Sequence, residues 1–246
     1  RRRTLTNNLQ KAWARDELKI YGQPVFERSN GECVSVELVL RWEHPEQGML
    51  SADQFADITQ LTGIWLAACE RLMAAAMQGA LAKPHLRWTW NAPSSIDVRV
   101  NEDALPMDSF LNFRGLHNMV GLEIPEELLN HRPDVARAWM KRWKDAGGFI
   151  VVDNFGQHPI APVSWLNEPV DEIKTPLGAE HAFARCLATS YGWRCVQKNV
   201  DSTLQWEFLP LDMLGQGSAL HEAVALETLL LTPTITMKST DQGLAL

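Results

Sequence analysis

One stretch constrains the fold more than any other, and it runs from Phe149 to Gly156. Its first four residues are apolar and largely β-branched, and they follow two glycines. A short run of this kind is typical of a strand that is buried on both faces, as in a parallel sheet covered by helices. The strand ends in Asp153 and Asn154. Because α/β folds bind their ligands at the carboxyl ends of such strands, we expect the functional site there.

Other strand candidates alternate with helix candidates along the whole chain. The strand candidates are 18–21, 34–40, 86–91, 120–124, 172–174, 193–196 and 213–214. The helix candidates are 6–15, 65–78, 133–146, 182–189, 204–209 and 219–231. A capping-box pattern from Ser51 to Gln54 predicts one more helix through Phe55, Ile58 and Leu61. About eight strand-then-helix units result, and they predict an α/β protein with a (β/α)₈ TIM-type barrel.

The first strand of this barrel should differ from the others in direction. Arg28-Ser29-Asn30-Gly31 is a hairpin-type turn between the first two strand candidates, and it predicts an antiparallel first strand. No shift of composition indicates a linker, so we expect a single barrel domain over residues 1–246. The abrupt start at Arg1-Arg2-Arg3 suggests a segment excised from a longer multidomain protein.

Charge and cysteine content exclude several classes of function. The formal net charge of -7 argues against a DNA-binding protein, because such proteins need positive charge to follow the phosphates. The four cysteines have no metal-binding or disulfide spacing, which favours a reducing cytoplasm. No apolar run has the length of a bilayer span, so we expect no direct membrane insertion. The predicted location is cytoplasmic, either free or as the cytoplasmic domain of a membrane-anchored protein.

Polar side chains recur at the predicted strand ends. They are Glu37, Asn91, Glu123, Asp153, Lys174 and Lys198. In a barrel these side chains would converge on one rim, and their oxygen atoms suit magnesium or manganese. Taken singly, each acidic residue could instead cap a helix or face solvent.

The order of several motifs resembles one bacterial family, the EAL domains, which are cyclic di-GMP phosphodiesterases. The segment from Glu37 to Pro45 is similar to the Glu-Ala-Leu-Leu-Arg-Trp-x-His-Pro signature of that family. Tyr21-Gly22-Gln23-Pro24, Trp90-Asn91, and Leu122-Glu123-Ile124-Pro125-Glu126 resemble three further family motifs. Two more are similar to Val152-Asp153-Asn154-Phe155-Gly156 and to Ile173-Lys174-Thr175. The resemblance extends from Leu5 to about Val224.

The resemblance implies a role for particular positions. It implies metal ligands at Glu37, Asn91, Glu123 and Asp153, and it makes Lys174 and Glu126 remnants of the catalytic residues. It also implies a nucleotide-binding set, which comprises Gln23, Glu37, Leu38, Arg41, Asn91, Asp153, Lys174 and Gln216.

Two departures from the family pattern affect the metal centre. Asn154 stands where the family has a second aspartate, and Lys198 stands where it has a metal-binding glutamate. Two negative charges are thereby lost and one positive charge is gained, so the net charge of a site for two divalent ions changes by about three units. We expect the second ion to be absent, no cofactor to be required, and magnesium or manganese to bind at most at a single weakened site. We also expect the Lys198 ammonium to lie between Glu123 and Asp153 and to replace part of the charge of a metal ion.

Three functions remain open at this point. The favoured one is a catalytically inactive regulatory module of cyclic di-GMP signalling that binds the nucleotide, a protein partner or both. The second is a weak phosphodiesterase, and the third is a protein-interaction domain that no longer binds the nucleotide. Ten tryptophans suggest base stacking, but Trp88, Trp90, Trp139, Trp143 and Trp206 have the spacing of core residues, and we interpret them as core.

Overall fold

The computed structural model describes residues 2–55, 64–93, 105, 107–113, 115–157, 165–176 and 181–238. The helix predicted through Ile58 and Leu61 falls outside these residues. Its predicted capping box is present, since the backbone N–H of Ser51 donates to Gln54 Oε1 at 2.8 Å, and the short 3₁₀ helix Ala52–Gln54 follows.

Within the described residues, ten strands alternate with eight α-helices. The strands are β1 Leu18–Glu27, β2 Cys33–His44, β3 Gly48–Ser51, β4 Arg87–Asn91, β5 Val120–Pro125, β6 Phe149–Asp153, β7 Glu172–Thr175, β8 Arg194–Gln197, β9 Leu214–Gly215 and β10 Val224–Ala225. The helices are α1 Arg2–Ala14, α2 Ile64–Ala82, α3 Asp108–Leu111, α4 Glu126–His131, α5 Pro133–Asp145, α6 His181–Tyr191, α7 Thr203–Phe208 and α8 Leu226–Leu231. No helix among these described residues has the length and apolarity needed to cross a membrane.

Eight of the strands form a closed barrel. Strands β2, β4, β5, β6, β7, β8 and β9 pair in that order, and β1 pairs with both β9 and β2 to close the ring. The pairs from β2 to β9 are parallel, whereas β1 is antiparallel to both of its neighbours. The predicted (β/α)₈ barrel with an antiparallel first strand is confirmed.

The β1–β2 hairpin fixes the alignment of two predicted site residues. Its turn ends at Gly31, which has a φ of 73° and therefore adopts a backbone conformation that side-chain-bearing residues rarely take. The ladder that follows pairs Gln23 with Glu37 across the two strands. A single-residue slip would turn every side chain of β1 to the opposite face, so this turn determines which residues face the barrel axis.

The helices cover the barrel with apolar faces, as their spacing predicts. Helix α5 begins at Pro133 and buries Val135, Trp139 and Trp143 completely or nearly so. Trp143 stacks on Phe110 with ring centroids 3.9 Å apart. Trp88 and Trp90 are also fully buried. The interpretation of these tryptophans as core residues is confirmed.

One predicted helix begins later than its sequence indicates. The prediction spans 219–231, but the helix is α8, Leu226–Leu231, and residues before it form β10 and a loop. The prediction is wrong there because the chain makes tertiary hydrogen bonds instead. The backbone N–H of Ala219 donates to the Val200 carbonyl at 3.1 Å, and the Ser218 hydroxyl donates to Asp201 at 2.7 Å. These bonds hold the segment against the β8–α7 loop.

Candidate functional site

The site lies at the carboxyl ends of the parallel strands. Asn91 lies opposite Glu123 in the β4–β5 pair, and Asp153 lies opposite Pro125, two residues further along in the β5–β6 pair. Strands β4 to β6 are short and largely buried, and each carries one of these polar side chains at or near its carboxyl end.

The first part of the site is a buried cluster around Lys174. Its ammonium donates to Glu37 Oε2 at 2.6 Å and to Glu123 Oε1 at 2.5 Å, and its side chain is only 1% exposed. Asn91 donates to the other oxygen of Glu37 at 2.7 Å, and Gln216 Nε2 donates to Glu37 Oε2 at 2.9 Å. Glu37 therefore has a hydrogen-bond donor at both oxygens.

The second part of the site is centred on Lys198. Its Nζ lies 2.7 and 2.9 Å from the two carboxylate oxygens of Asp153 and 3.1 Å from Asn154 Oδ1. The side chain is 20% exposed, so the ammonium lies near the surface of the site rather than deep in the barrel. Asn154 and Asn199 both have a φ of 58°, a left-handed conformation that asparagine tolerates better than most residues.

These contacts shift the titration of the groups involved. Burial disfavours the charged carboxylate of Glu37, but Lys174 and Lys198 outweigh it and hold its pKa well below the ordinary value. Burial, together with the neighbouring Glu37, raises the pKa of Glu123 to about 8 in spite of Lys174. Both ammonium groups stay charged. Burial opposes the charged form in each, yet Glu123 raises the pKa of Lys174 and Asp153 raises that of Lys198.

The predicted neighbours of Lys198 need one correction. Lys198 contacts Asp153 as predicted, but the cation beside Glu123 is Lys174. The reason is the position of the two lysines along their strands. Lys174 is the third residue of β7 and lies inside the barrel, whereas Lys198 follows the last residue of β8 and lies at the rim.

Two adjoining cavities open at this rim. The larger, of about 660 Å³, is lined by polar residues that include Asn91, Asp153 and Asn154, and by apolar residues that include Phe55, Trp65 and Leu72. The smaller, of about 270 Å³, is more polar and is lined in part by Gln23, Gln216 and Glu222. Both cavities share Glu37, Val39, Arg41, Lys198 and Asn199 in their walls.

The remaining predicted site residues take different positions. Gln23 donates to the His221 carbonyl at 2.7 Å, and Leu38 is fully buried in the wall of the larger cavity. Within the described residues, Arg41 makes one hydrogen bond, to the Leu40 carbonyl at 3.3 Å, and has no carboxylate within ion-pair distance. Glu126 is buried and accepts a hydrogen bond from the Gly156 backbone at 3.0 Å, which holds the loop after β6.

Two further residues of the site were not predicted from the sequence. Thr89 donates a short hydrogen bond to Glu123 from within β4. Glu172 is 1% exposed beneath Lys174, with Arg194 Nε at 3.3 Å and Arg87 Nη1 at 3.7 Å. Each lies two residues before a predicted site residue on the same strand, so the alternation of side chains in β-structure was the signal that could have found them.

The donor set does not fit the two divalent ions that the family resemblance implies. Lys198 engages both oxygens of Asp153, and Lys174 engages Glu37 and Glu123. Among the residues that the structure describes, no three histidine, cysteine, aspartate or glutamate side chains are arranged to hold a metal ion. Among the described residues, Glu123 Oε2 and both carboxylate oxygens of Glu172 are buried without a hydrogen-bond partner. A single weakened metal site at Glu123 stays a prediction.

Comparison with known proteins establishes the family. The family model for the EAL domain matches residues 6–179, and the chain belongs to this family. Among curated proteins, the chain is 24% identical over 222 residues to the bifunctional diguanylate cyclase/cyclic di-GMP phosphodiesterase MucR of Pseudomonas aeruginosa. That match covers 83% of this chain and 32% of MucR. The cyclic di-GMP phosphodiesterase NbdA of the same organism is 26% identical over 182 residues, covering 69% of this chain and 22% of NbdA.

Solved structures support the same fold. The MucR phosphodiesterase in its c-di-GMP complex superposes with a TM-score of 0.78 and 22% identity, covering 92% of this chain and 99% of that chain. The FimX EAL domain of Pseudomonas aeruginosa bound to c-di-GMP has a TM-score of 0.67 and 13% identity, covering 89% and 95%. The chain spans about a third or less of the length of the curated relatives described above.

Proposed function

We propose that this chain is an EAL domain that binds cyclic di-GMP without hydrolysing it, and that it acts as a regulatory module in cyclic di-GMP signalling, alone or through a protein partner. The observation that carries the proposal is the position of Lys198. An ammonium group lies against Asp153 and Asn154, at the position where the family pattern has an additional carboxylate.

Binding is supported by the two cavities and by the residues that they share. Arg41 has a guanidinium on the wall of both cavities, and such a group can hold a phosphate through two parallel hydrogen bonds. The apolar side of the larger cavity, with Phe55 and Trp65, provides a surface suited to a purine base. MucR and FimX, which share this fold, have been solved in complex with c-di-GMP.

The absence of hydrolysis is supported by the chemistry of the donor set. Hydrolysis by a two-metal centre needs one ion to generate hydroxide and both ions to stabilise the attacking and leaving oxygens. Asn154 supplies a neutral amide in place of a carboxylate, and Lys198 adds a positive charge that repels a cation. With both family carboxylates replaced, the site does not hold the second ion, and the general-base chemistry that depends on this ion is lost.

The experiment combines binding and turnover on the same protein. Cyclic di-GMP is titrated calorimetrically, and the incubated nucleotide is then separated by anion-exchange chromatography in the presence of magnesium or manganese. We expect binding and no linear dinucleotide. The matched variant Asn154→Asp with Lys198→Glu restores the two carboxylates, and we expect it to release linear dinucleotide with manganese.

Two outcomes would contradict the proposal. Linear dinucleotide formed by the wild-type chain in proportion to its concentration would make it a weak phosphodiesterase. If the titration gives no binding heat and a competition assay with labelled nucleotide detects no binding either, the chain would instead be an interaction domain that has lost the ligand.

A further inference from the structure

The positive charge of this site comes from its own side chains rather than from bound metal ions. Three carboxyl groups, Glu37, Glu123 and Asp153, face two ammonium groups, Lys174 and Lys198. The Arg41 guanidinium on the cavity wall adds a third positive charge. Counted at full charge, these three acidic and three basic groups cancel at the junction of the two cavities, and protonation of Glu123, whose pKa is raised to about 8, makes their sum positive. The smaller cavity also contains Asp201 and Glu222, and Glu222 is paired with Lys238. A phosphodiester at the junction therefore meets no net repulsion from these six groups.

A carboxylate site that lacks its metal ions, and has no ammonium groups in their place, would repel a phosphodiester. Uncompensated carboxylates repel a phosphate oxygen at short range, and this repulsion is strong in a partly buried site, where water screens it poorly. The two ammonium groups remove that repulsion here, because each lies within 2.9 Å of the carboxylate oxygens that it neutralises.

The location of Lys198 makes it the relevant group for a ligand. Lys174 is 1% exposed and faces inward, whereas Lys198 is 20% exposed and lies in the shared wall of both cavities. Arg41 lies in the same shared wall. A cyclic dinucleotide that extends from one cavity to the other would therefore pass its phosphodiester backbone over these two positive groups.

We propose that this site binds the phosphodiester groups of its nucleotide without any divalent cation, with Lys198 as the fixed cation that takes the place of the metal. The proposal rests on the proposed nucleotide-binding function and specifies its metal requirement. Lys198 neutralises Asp153 and presents positive charge to the junction of the cavities, and its position is independent of the metal concentration in solution.

The test measures the affinity for cyclic di-GMP by calorimetry in three solutions, containing EDTA, magnesium or manganese. For the wild-type chain we expect dissociation constants that agree within about twofold in all three. Lys198→Glu should bind at least about tenfold more weakly than wild type in EDTA and should recover most of this loss with manganese, because a soluble cation then replaces the missing ammonium. Lys198→Met should be weakened without recovery. The exposed Lys141→Met variant serves as the control and should bind as wild type does in every solution.

The outcomes separate this proposal from the one on which it rests. Binding by wild type that needs magnesium or manganese, with an affinity about tenfold or more weaker in EDTA, would overturn metal independence and leave nucleotide binding intact. Equal affinity of wild type and Lys198→Met in EDTA would show that Lys198 is not the cation that the phosphodiester meets. Absence of wild-type binding in all three solutions would overturn both proposals.

Discussion

Replacing Lys174 with methionine should destabilise the fold strongly, because the ammonium is the counter-charge of the buried Glu37 carboxylate and also donates a hydrogen bond to Glu123. It contacts Glu37 at 2.6 Å and Glu123 at 2.5 Å with 1% of its side chain exposed. Methionine keeps most of the length of the side chain but leaves the Glu37 carboxylate without the cation. Breaking a buried ion pair from one side typically costs about 3–5 kcal/mol. In a domain of this size, that loss corresponds to a decrease of about 6–20 °C in melting temperature.

The chain offers a matched control for this experiment. Lys141 contacts Asp145 at the same distance of 2.6 Å, but both side chains are at least 65% exposed. An exposed pair of this kind contributes at most about 1 kcal/mol, so Lys141→Met should lie close to wild type. Urea unfolding followed by circular dichroism measures both losses, with an unchanged m-value as the sign that the two-state comparison holds.

Two results decide whether the reasoning is correct. Adding Glu37→Gln to Lys174→Met should recover part of the lost stability, since the uncompensated carboxylate charge is then removed. Equal losses in Lys174→Met and Lys141→Met would refute the argument, because burial would then have no effect on the value of an ion pair with this geometry.

Three further predictions concern the site and the thiols. In thermal unfolding, manganese should raise the melting temperature of Lys198→Glu much more than that of wild type; an equally large rise in wild type would contradict the role of Lys198 as internal cation. Arg41→Ala should lose on the order of 1.5–3 kcal/mol of cyclic di-GMP binding, which is more than tenfold in affinity by calorimetry, and unchanged affinity would place the nucleotide elsewhere. Burial raises the pKa values of Cys33, Cys69 and Cys195 to about 12, so at pH 8 an aromatic disulfide reagent should titrate the exposed Cys186 first, and Cys186→Ser should abolish this rapid phase.

Much of the fold could be predicted because apolar runs and turn residues act locally. The run from Phe149 to Val152 is buried on both faces in β6, and the turn ending at Gly31 gives the antiparallel β1. The late start of α8 could not be predicted in the same way. The hydrogen bond from Ala219 to Val200 joins two segments that only the closed barrel brings together.

The sequence indicated which residues lie in the site, but not which lysine contacts which carboxylate. Strand ends indicated that Glu123, Asp153, Lys174 and Lys198 would lie at one rim. The structure brings all four to the same end of the barrel, with Glu123 and Lys174 buried inside it and Lys198 at the rim. Which lysine contacts which carboxylate depends on the depth of each side chain along the barrel axis. That depth is set by the stagger between neighbouring strands, which a sequence read one strand at a time does not contain.

The pairing of Lys198 with Asp153 and Asn154 also affects how this domain can evolve. A mutation of Asn154 to aspartate alone would give the ammonium a second carboxylate and hold it more firmly in place. A mutation of Lys198 alone to glutamate would set two carboxylates against each other and lower stability wherever metal is scarce. The first change therefore strengthens the ion pair without rebuilding the carboxylate set, whereas the second rebuilds part of that set only where a metal ion is present to hold it. The order of the two changes decides whether this domain can return toward the family pattern without losing stability.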